Sequence, residues 1–320
     1  YSRRGIETWR QTIEPERENL IARIPGRNPD RRVVFEAHMD TVSVAGMTID
    51  PFDPLIRDGR MHGRGSCDTK GGMAAMMHAV ASLHEDQITP ACDVWFAATI
   101  DEEFSYRGVT ALCEGLHADA AIVAEPTDLQ AVIASKGLVR LKIEVIGRAA
   151  HSAKPHLGVN AIEQMAVIIA AIQQDTRQLN ERVHPLLGPA TCNIGVIRGG
   201  VQINLVPASC EIEIDRRMLP GETVETVLAN YQRLLDSLKH QDPELTVLIH
   251  PPLLTDVPLE TNVDSAPVQR MIAILEEMSL DATPIGVPFC SDASKFGAAG
   301  IPSMILGPGS IDQAHAADEY

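Results

Sequence analysis

Gly63-Arg64-Gly65-Ser66-Cys67-Asp68-Thr69-Lys70-Gly71-Gly72 sets one carboxylate between two glycine-rich turns, directly ahead of an apolar run. Glycine turns the backbone through positive φ at little cost and lets it approach a ligand closely. Met73, Met76, Met77 and Val80 follow at helical spacing, which predicts a helix that pins the loop against a core. A carboxylate held this way suits a cation. The same ten residues also read as an ordinary glycine-rich turn with a capping aspartate, and the segments on either side decide between the two.

Upstream, Arg31-Arg-Val-Val-Phe-Glu-Ala37 reads as a buried strand that ends at His38-Met-Asp40. In α/β proteins, functional groups gather at the carboxyl ends of strands. A histidine and an aspartate two apart on an extended segment point the same way. Asp40 is therefore expected to accept the second N–H of the His38 imidazole, fixing its tautomer while the other nitrogen binds a metal. Downstream, Cys92–Ile100 is a second strand, ending in Asp101-Glu102-Glu103, and Ala120–Ala124 a third, ending in Glu125. Strand ends and loop together present His, Asp, Glu, Glu and Glu, the hard and borderline ligands of a divalent metal site. Residues 1–30 are polar and rich in Arg and Glu, and only a short helical pattern is expected before Pro25-Gly26.

From about Ser135 the period changes. Val139, Leu141, Ile143 and Val145 alternate with polar residues, as a half-exposed antiparallel strand requires. A helix follows from Asn160 to about Asn180. Alternation returns at Cys192–Val196 and at Cys210–Asp215, followed by a helix over Glu222–His240 and a strand over Thr246–His250. The order βαββαβ predicts a ferredoxin-like domain inserted into a larger α/β domain, with Pro251-Pro252 at the return. A helix over Ser265–Met278 and a strand over Ile301–Leu306 then lead to the closing segment Gly307–Tyr320.

Composition narrows the classes. The 320 residues are 45% hydrophobic and carry a net charge of −16, with mean hydropathy −0.01, as expected for a globular chain of two domains. No apolar run reaches membrane-spanning length. The acidic balance argues against nucleic acid or an anionic membrane as partner. Six cysteines lie scattered without paired spacing, which favours free thiols in a reducing cytoplasm over a disulfide framework. Cys67 and Cys290 are read as small core residues, and Asp292 and Ser294 as candidates to line a pocket.

Taken together, HMDTV (38–42), the 63–72 loop, DEE (101–103), EPT (125–127), GRAAHSAKPHLGVNAI (147–162), GGVQINLVP (199–207), DRR (215–217) and GPGSIDQAHAADEY (307–320) carry a resemblance over nearly the whole chain. It is to the zinc-dependent deacylase and peptidase superfamily of acetylornithine deacetylase, succinyl-diaminopimelate desuccinylase, aminoacylase and glutamate carboxypeptidase. The ending is most similar to the acetylornithine deacetylase branch. The resemblance implies an α/β fold. A mixed-sheet metallopeptidase-like catalytic domain (1–134 and 252–320) would hold an inserted ferredoxin-like α+β lid and dimerisation domain (135–251).

The resemblance also implies two divalent ions, zinc expected and cobalt or manganese accepted. Asp68 would bridge both ions, with His38 and Glu125 completing one site and Glu103 and His315 the other. Glu102 becomes the general base, His151 the oxyanion donor, and Asn204 and Arg217 the substrate-binding residues. Arg217 also reads as a strand-face partner of Asp215. The implied substrate is a small N-acyl amino acid and the implied assembly a homodimer. A desuccinylase, a broad aminoacylase and a dipeptidase remain open within the class, and a non-catalytic amino-acid-binding relative outside it. With 37 residues ahead of His38 and Tyr320 at its close, the chain is shorter at both ends than the resemblance implies.

Overall fold

The strand Asn28–His38 runs into the centre of a nine-stranded mixed sheet, parallel to Cys92–Thr99 on one side and to Ala120–Val123 on the other. Strands covered on both faces read as continuous apolar runs; Val34, Ala37, Ala97, Ala121 and Val123 are buried accordingly. The computed structural model describes residues 1–320 and divides them into two compact units. The first comprises Tyr1–Ser135, Leu259–Val287 and Ser291–Tyr320, the second Lys136–Pro258 and Pro288–Cys290.

In the first unit the strand order is Glu7–Glu14, Arg17–Ile24, Cys92–Thr99, Asn28–His38, Ala120–Val123, Ser303–Ile305, Val132–Ser135 and Leu259–Glu260, and Ile285–Val287 also pairs with Val132–Ser135. The first two strands form an antiparallel hairpin where only a short helical pattern was expected. Glu7–Glu14 is exposed for most of its length, so no apolar alternation marks it as a strand. Its partner Arg17–Ile24 buries Ile21, Ala22 and Ile24 and is held by the antiparallel ladder to Cys92–Thr99. The predicted helix after the glycine loop spans Gly71–Glu85. Met73 and Met76 pack against the core formed by Ile24, Val80, Val94 and Phe96, whereas Met77 is exposed.

In the second unit, Gly137–Ile146, Ala161–Leu179, Thr191–Gly199, Ser209–Met218, Val224–Gln241 and Val247–Ile249 follow in the order βαββαβ. The antiparallel sheet runs Thr191–Gly199, Ser209–Met218, Gly137–Ile146, Val247–Ile249. Its buried face (Leu141, Ile143, Val145, Ile212, Ile214) packs against Met165, Ile168 and Ile172 of one helix and Val227, Tyr231 and Leu235 of the other. Asn160 caps the first helix, its side chain accepting from the N–H of Ile162 and Glu163. This unit continues past Pro251-Pro252 to Pro258, because Leu254–Asp256 adds a further antiparallel pairing to Gly137–Ile146.

Candidate metal centre

Three parallel strands of the first unit stop at one edge of its sheet, and each delivers a side chain there. Asn28–His38 ends on the buried His38, Cys92–Thr99 is followed by Asp101, Glu102 and Glu103, and Ala120–Val123 is followed by Glu125. The 63–72 loop brings Asp68 to the same place. Gly72 lets the loop close on the sheet, since a Cβ there would lie 2.9 Å from that of Ala124. Thr69 adds a tether, its hydroxyl donating to the Ala124 carbonyl at 3.0 Å.

Asp68 lies at the centre. Its Oδ1 is 3.0 Å from His38 Nε2 and its Oδ2 is 3.1 Å from His315 Nε2, so each carboxylate oxygen faces one imidazole. Glu103 Oε1 stands 3.3 Å from the same His315 nitrogen, and Glu125 Oε1 stands 4.0 Å from His38 Nε2. His38, Asp68 and Glu103 offer donor atoms within 4.8 Å of one another, as do His38, Glu102 and Glu125.

Asp40 has a different task from the one expected. The Nδ1 of His38 faces the backbone carbonyl of Asp40 at 3.1 Å, and the carboxylate stands off at 3.7 Å. That carboxylate instead accepts from three successive backbone N–H groups, of Asp101 (2.9 Å), Glu102 (3.2 Å) and Glu103 (3.1 Å). Asp40 thus holds the turn that presents both glutamates, while its carbonyl orients the imidazole.

The electrostatics follow from burial and from the mutual proximity of these groups. Burial and then the neighbouring Asp292, Glu103 and Asp68 push the Glu102 carboxyl well above the usual carboxylate range. Burial, Asp68 and Glu102 do the same to Glu125. Burial alone would raise Asp68, but hydrogen bonds from His315 and His38 outweigh it and hold its carboxyl far below that range. Burial opposes charging His38, yet the hydrogen bond and charge of Asp68 prevail and raise its pKa. The hydrogen bonds to Asp68 and then Glu103 lift His315 to about 10. Like-charged carboxyls this close and this buried are stabilised by positive charge, and at Asp68 the His315 and His38 imidazoles supply it. With two imidazole nitrogens and several carboxylate oxygens converging, the donor set fits divalent cations.

Beneath the site, Glu36 and Asp292 are fully buried around Thr99, whose hydroxyl contacts Glu36 Oε1 and lies 3.2 Å from Asp292 Oδ2. Burial pushes Asp292 up to about 6. Asp292 and Ser294, read as candidates to line a pocket, are instead enclosed; the Ser294 hydroxyl donates to the Ser291 carbonyl at 3.0 Å. Cys67 is a buried thiol, pushed up to about 11 by burial and then by Glu319 and Asp68.

The remaining candidates belong to the second unit. There His151 and Leu205 form a β-bridge, and the Asn204 carbonyl accepts from Ser152 N–H at 3.1 Å, so His151 and Asn204 are neighbours on exposed chain. Arg217 makes the strand-face ion pair with Asp215 at 2.7 Å, a carboxylate it shares with Arg140 at 2.9 Å.

The sequence profile described as peptidase family M20/M25/M40 matches residues 34–320. The chain belongs to that family. It is 33% identical over 312 residues to an acetylornithine deacetylase of Pectobacterium carotovorum, covering 94% of this chain and 78% of that one. It is equally 33% identical over 297 residues to the Salmonella arizonae protein of the same name, covering 90% and 75%. A tripeptidase from Staphylococcus aureus shares the fold with a TM-score of 0.81 at 24% identity, over 99% of this chain and 84% of that one. A dinuclear metal-binding peptidase of family M20 from Bacillus subtilis does so with a TM-score of 0.70 at 17% identity, over 96% and 80%. This M20 chain is a metal-dependent hydrolase of amide bonds. None of its helices is long and apolar enough to cross a membrane.

Proposed function

We propose that the protein is a dinuclear metal hydrolase that removes the acyl group from an N-acyl amino acid, as the acetylornithine deacetylases it resembles do by name. The observation that carries this reading is Asp68, whose two oxygens each face a different histidine while Glu103 and Glu125 flank them. His38, Asp68 and Glu125 would hold one ion and Asp68, Glu103 and His315 the other, with zinc as the expected metal. Bound there, such ions lower the pKa of water and polarise an acyl carbonyl.

The chain's own groups do the rest. Glu102, buried beside the ligands, takes a proton from the attacking water at its carboxylate. It keeps that proton until the C–N bond breaks and then delivers it to the leaving amine. Asp40 fixes the turn that aims Glu102. His151 donates a hydrogen bond to the developing oxyanion, and Asn204 and Arg217 grip the substrate, Arg217 pairing with the α-carboxylate. These three roles, and a homodimeric assembly, rest on the family resemblance. Six free cysteines support a reducing, cytoplasmic setting.

The test is a hydrolysis screen of N-acetyl, N-succinyl and N-carbamoyl amino acids and dipeptides with added zinc or cobalt. Release of free amine from N-acetyl amino acids ahead of the other classes is expected. Preference for dipeptides or N-succinyl substrates would replace the acyl assignment, and no hydrolysis by the metal-loaded protein would overturn the reading.

A further inference from the structure

Glu319 has no exposed surface, and both its carboxylate oxygens and its carbonyl bond to the loop that carries Asp68. Its Oε1 accepts from the backbone N–H of both Cys67 and Asp68, each at 3.0 Å. Its Oε2 accepts from the buried Arg64 guanidinium at 2.5 Å, and its own carbonyl accepts from Gly63 N–H at 3.0 Å. Two residues earlier, the Ala317 carbonyl accepts from Thr48 N–H at 2.8 Å and from its hydroxyl at 3.2 Å. The segment that carries His315 is thereby fastened onto the segment that carries Asp68.

Two amides converging on one oxygen fix the peptide plane that precedes Asp68, and with it the direction in which the carboxylate leaves the backbone. The same side chain fixes how far the 315–320 segment lies from the loop. That distance matters because His315 is half exposed and sits at positive φ, with Asp68 and Glu103 as its side-chain partners. An acid that serves only to neutralise Arg64 has no need of the Cys67 and Asp68 amides.

We propose that Glu319 is a positioning residue of the metal centre: it sets the Asp68 carboxylate and the His315 imidazole at the spacing one ion requires, through its two amide hydrogen bonds. The proposal rests on the reading of Asp68 and His315 as metal ligands. Groups behind the ligands typically alter metal affinity 10–100-fold when changed.

Two conservative variants separate positioning from plain ion pairing. Glu319→Asp keeps a charge for Arg64 but is one methylene too short to hold both amides. Arg64→Gln removes the ion pair and leaves both amide bonds in place. Cobalt affinity is measured by competition with a chromophoric chelator, the visible spectrum of the loaded protein reports ligand geometry, and thermal unfolding of the metal-free forms is read in parallel. Glu319→Asp is expected to lose about 10–100-fold in cobalt affinity with an altered spectrum, and Arg64→Gln to stay within several-fold of wild type with its spectrum intact even where its melting temperature falls. Equal losses in both variants, or a larger loss in Arg64→Gln, would reduce Glu319 to a structural ion pair. Wild-type affinity and spectrum in Glu319→Asp would overturn the proposal outright. Failure of the wild-type protein itself to bind cobalt would instead refute the ligand reading beneath it.

Discussion

Glu102 and Glu103 are consecutive, held by one Asp40 carboxylate, and yet are assigned to different chemistry: Glu103 faces His315 at 3.3 Å, whereas Glu102 is the more deeply buried of the two. Glu102→Ala is therefore expected to retain metal while kcat falls by at least 10²-fold, the lower size of a lost general base. Glu103→Ala should lose metal first, as read by metal analysis after dialysis. Glu102 also lies within ligand reach of His38 and Glu125, so loss of metal from Glu102→Ala would reassign it as a ligand. In the second unit, His151→Ala should lower kcat by about 10²–10³ with KM nearly unchanged, the size of one lost oxyanion contact. Arg217→Ala should raise KM more than it lowers kcat, since a carboxylate grip acts in ground and transition states alike. Steady-state kinetics on one N-acyl amino acid read both, and a His151→Ala effect confined to KM would remove it from the oxyanion role.

The elements that carry the site are short-range in their logic, and this decided what the sequence could show. Strands that end in His38, in Asp101-Glu102-Glu103 and in Glu125 are continuous apolar runs followed by acids, and periodicity exposes such endings directly. The strand Glu7–Glu14 leaves no signal in the sequence, because an exposed strand has no buried face to print a pattern. The Asp40 bonds to three amides and the Glu319 bonds to Cys67 and Asp68 were illegible for another reason: they join backbone to side chain across chain separations that no local pattern encodes. At the Asp68 loop the decisive neighbour is Gly72, whose added Cβ would meet Ala124 at 2.9 Å. Gly72→Ala should push the helix Gly71–Glu85 off the strand end, costing about 1–3 kcal/mol as overpacking does. Cobalt affinity should fall in parallel. Denaturant unfolding together with cobalt titration checks this, and unchanged values for both would show that the loop relaxes freely.

Across the whole molecule, the acidic centre makes stability depend on pH with a sign that metal reverses. In the metal-free protein, Asp292 is raised from about 4 to about 6, and Glu102 and Glu125 are raised as well. Raised carboxyls bind more protons folded than unfolded, so their stabilisation is present at low pH and lost as pH climbs through the folded pKa. His315, raised from about 6.5 to about 10, contributes stability that is full below its unfolded pKa and disappears through its folded one. Asp68 acts oppositely, but only at the acid extreme, because its folded pKa lies far below the usual range. The melting temperature of the chelator-treated protein should therefore decline from about pH 5 to pH 9, whereas with saturating cobalt it should rise from pH 5 to pH 7 as protons stop competing for the ligands. Parallel curves with and without metal would mean that the cluster holds no ion. The central claim, that Asp68 joins two ions in one site, is tested most directly by metal content per chain at full activity, determined by elemental analysis during cobalt titration of the metal-free enzyme. The account predicts that activity on an N-acyl amino acid saturates at two cobalt ions per chain in the wild type, and that Asp68→Ala retains neither at the same concentration. Full activity at one ion per chain, or two ions retained tightly by Asp68→Ala, would contradict it.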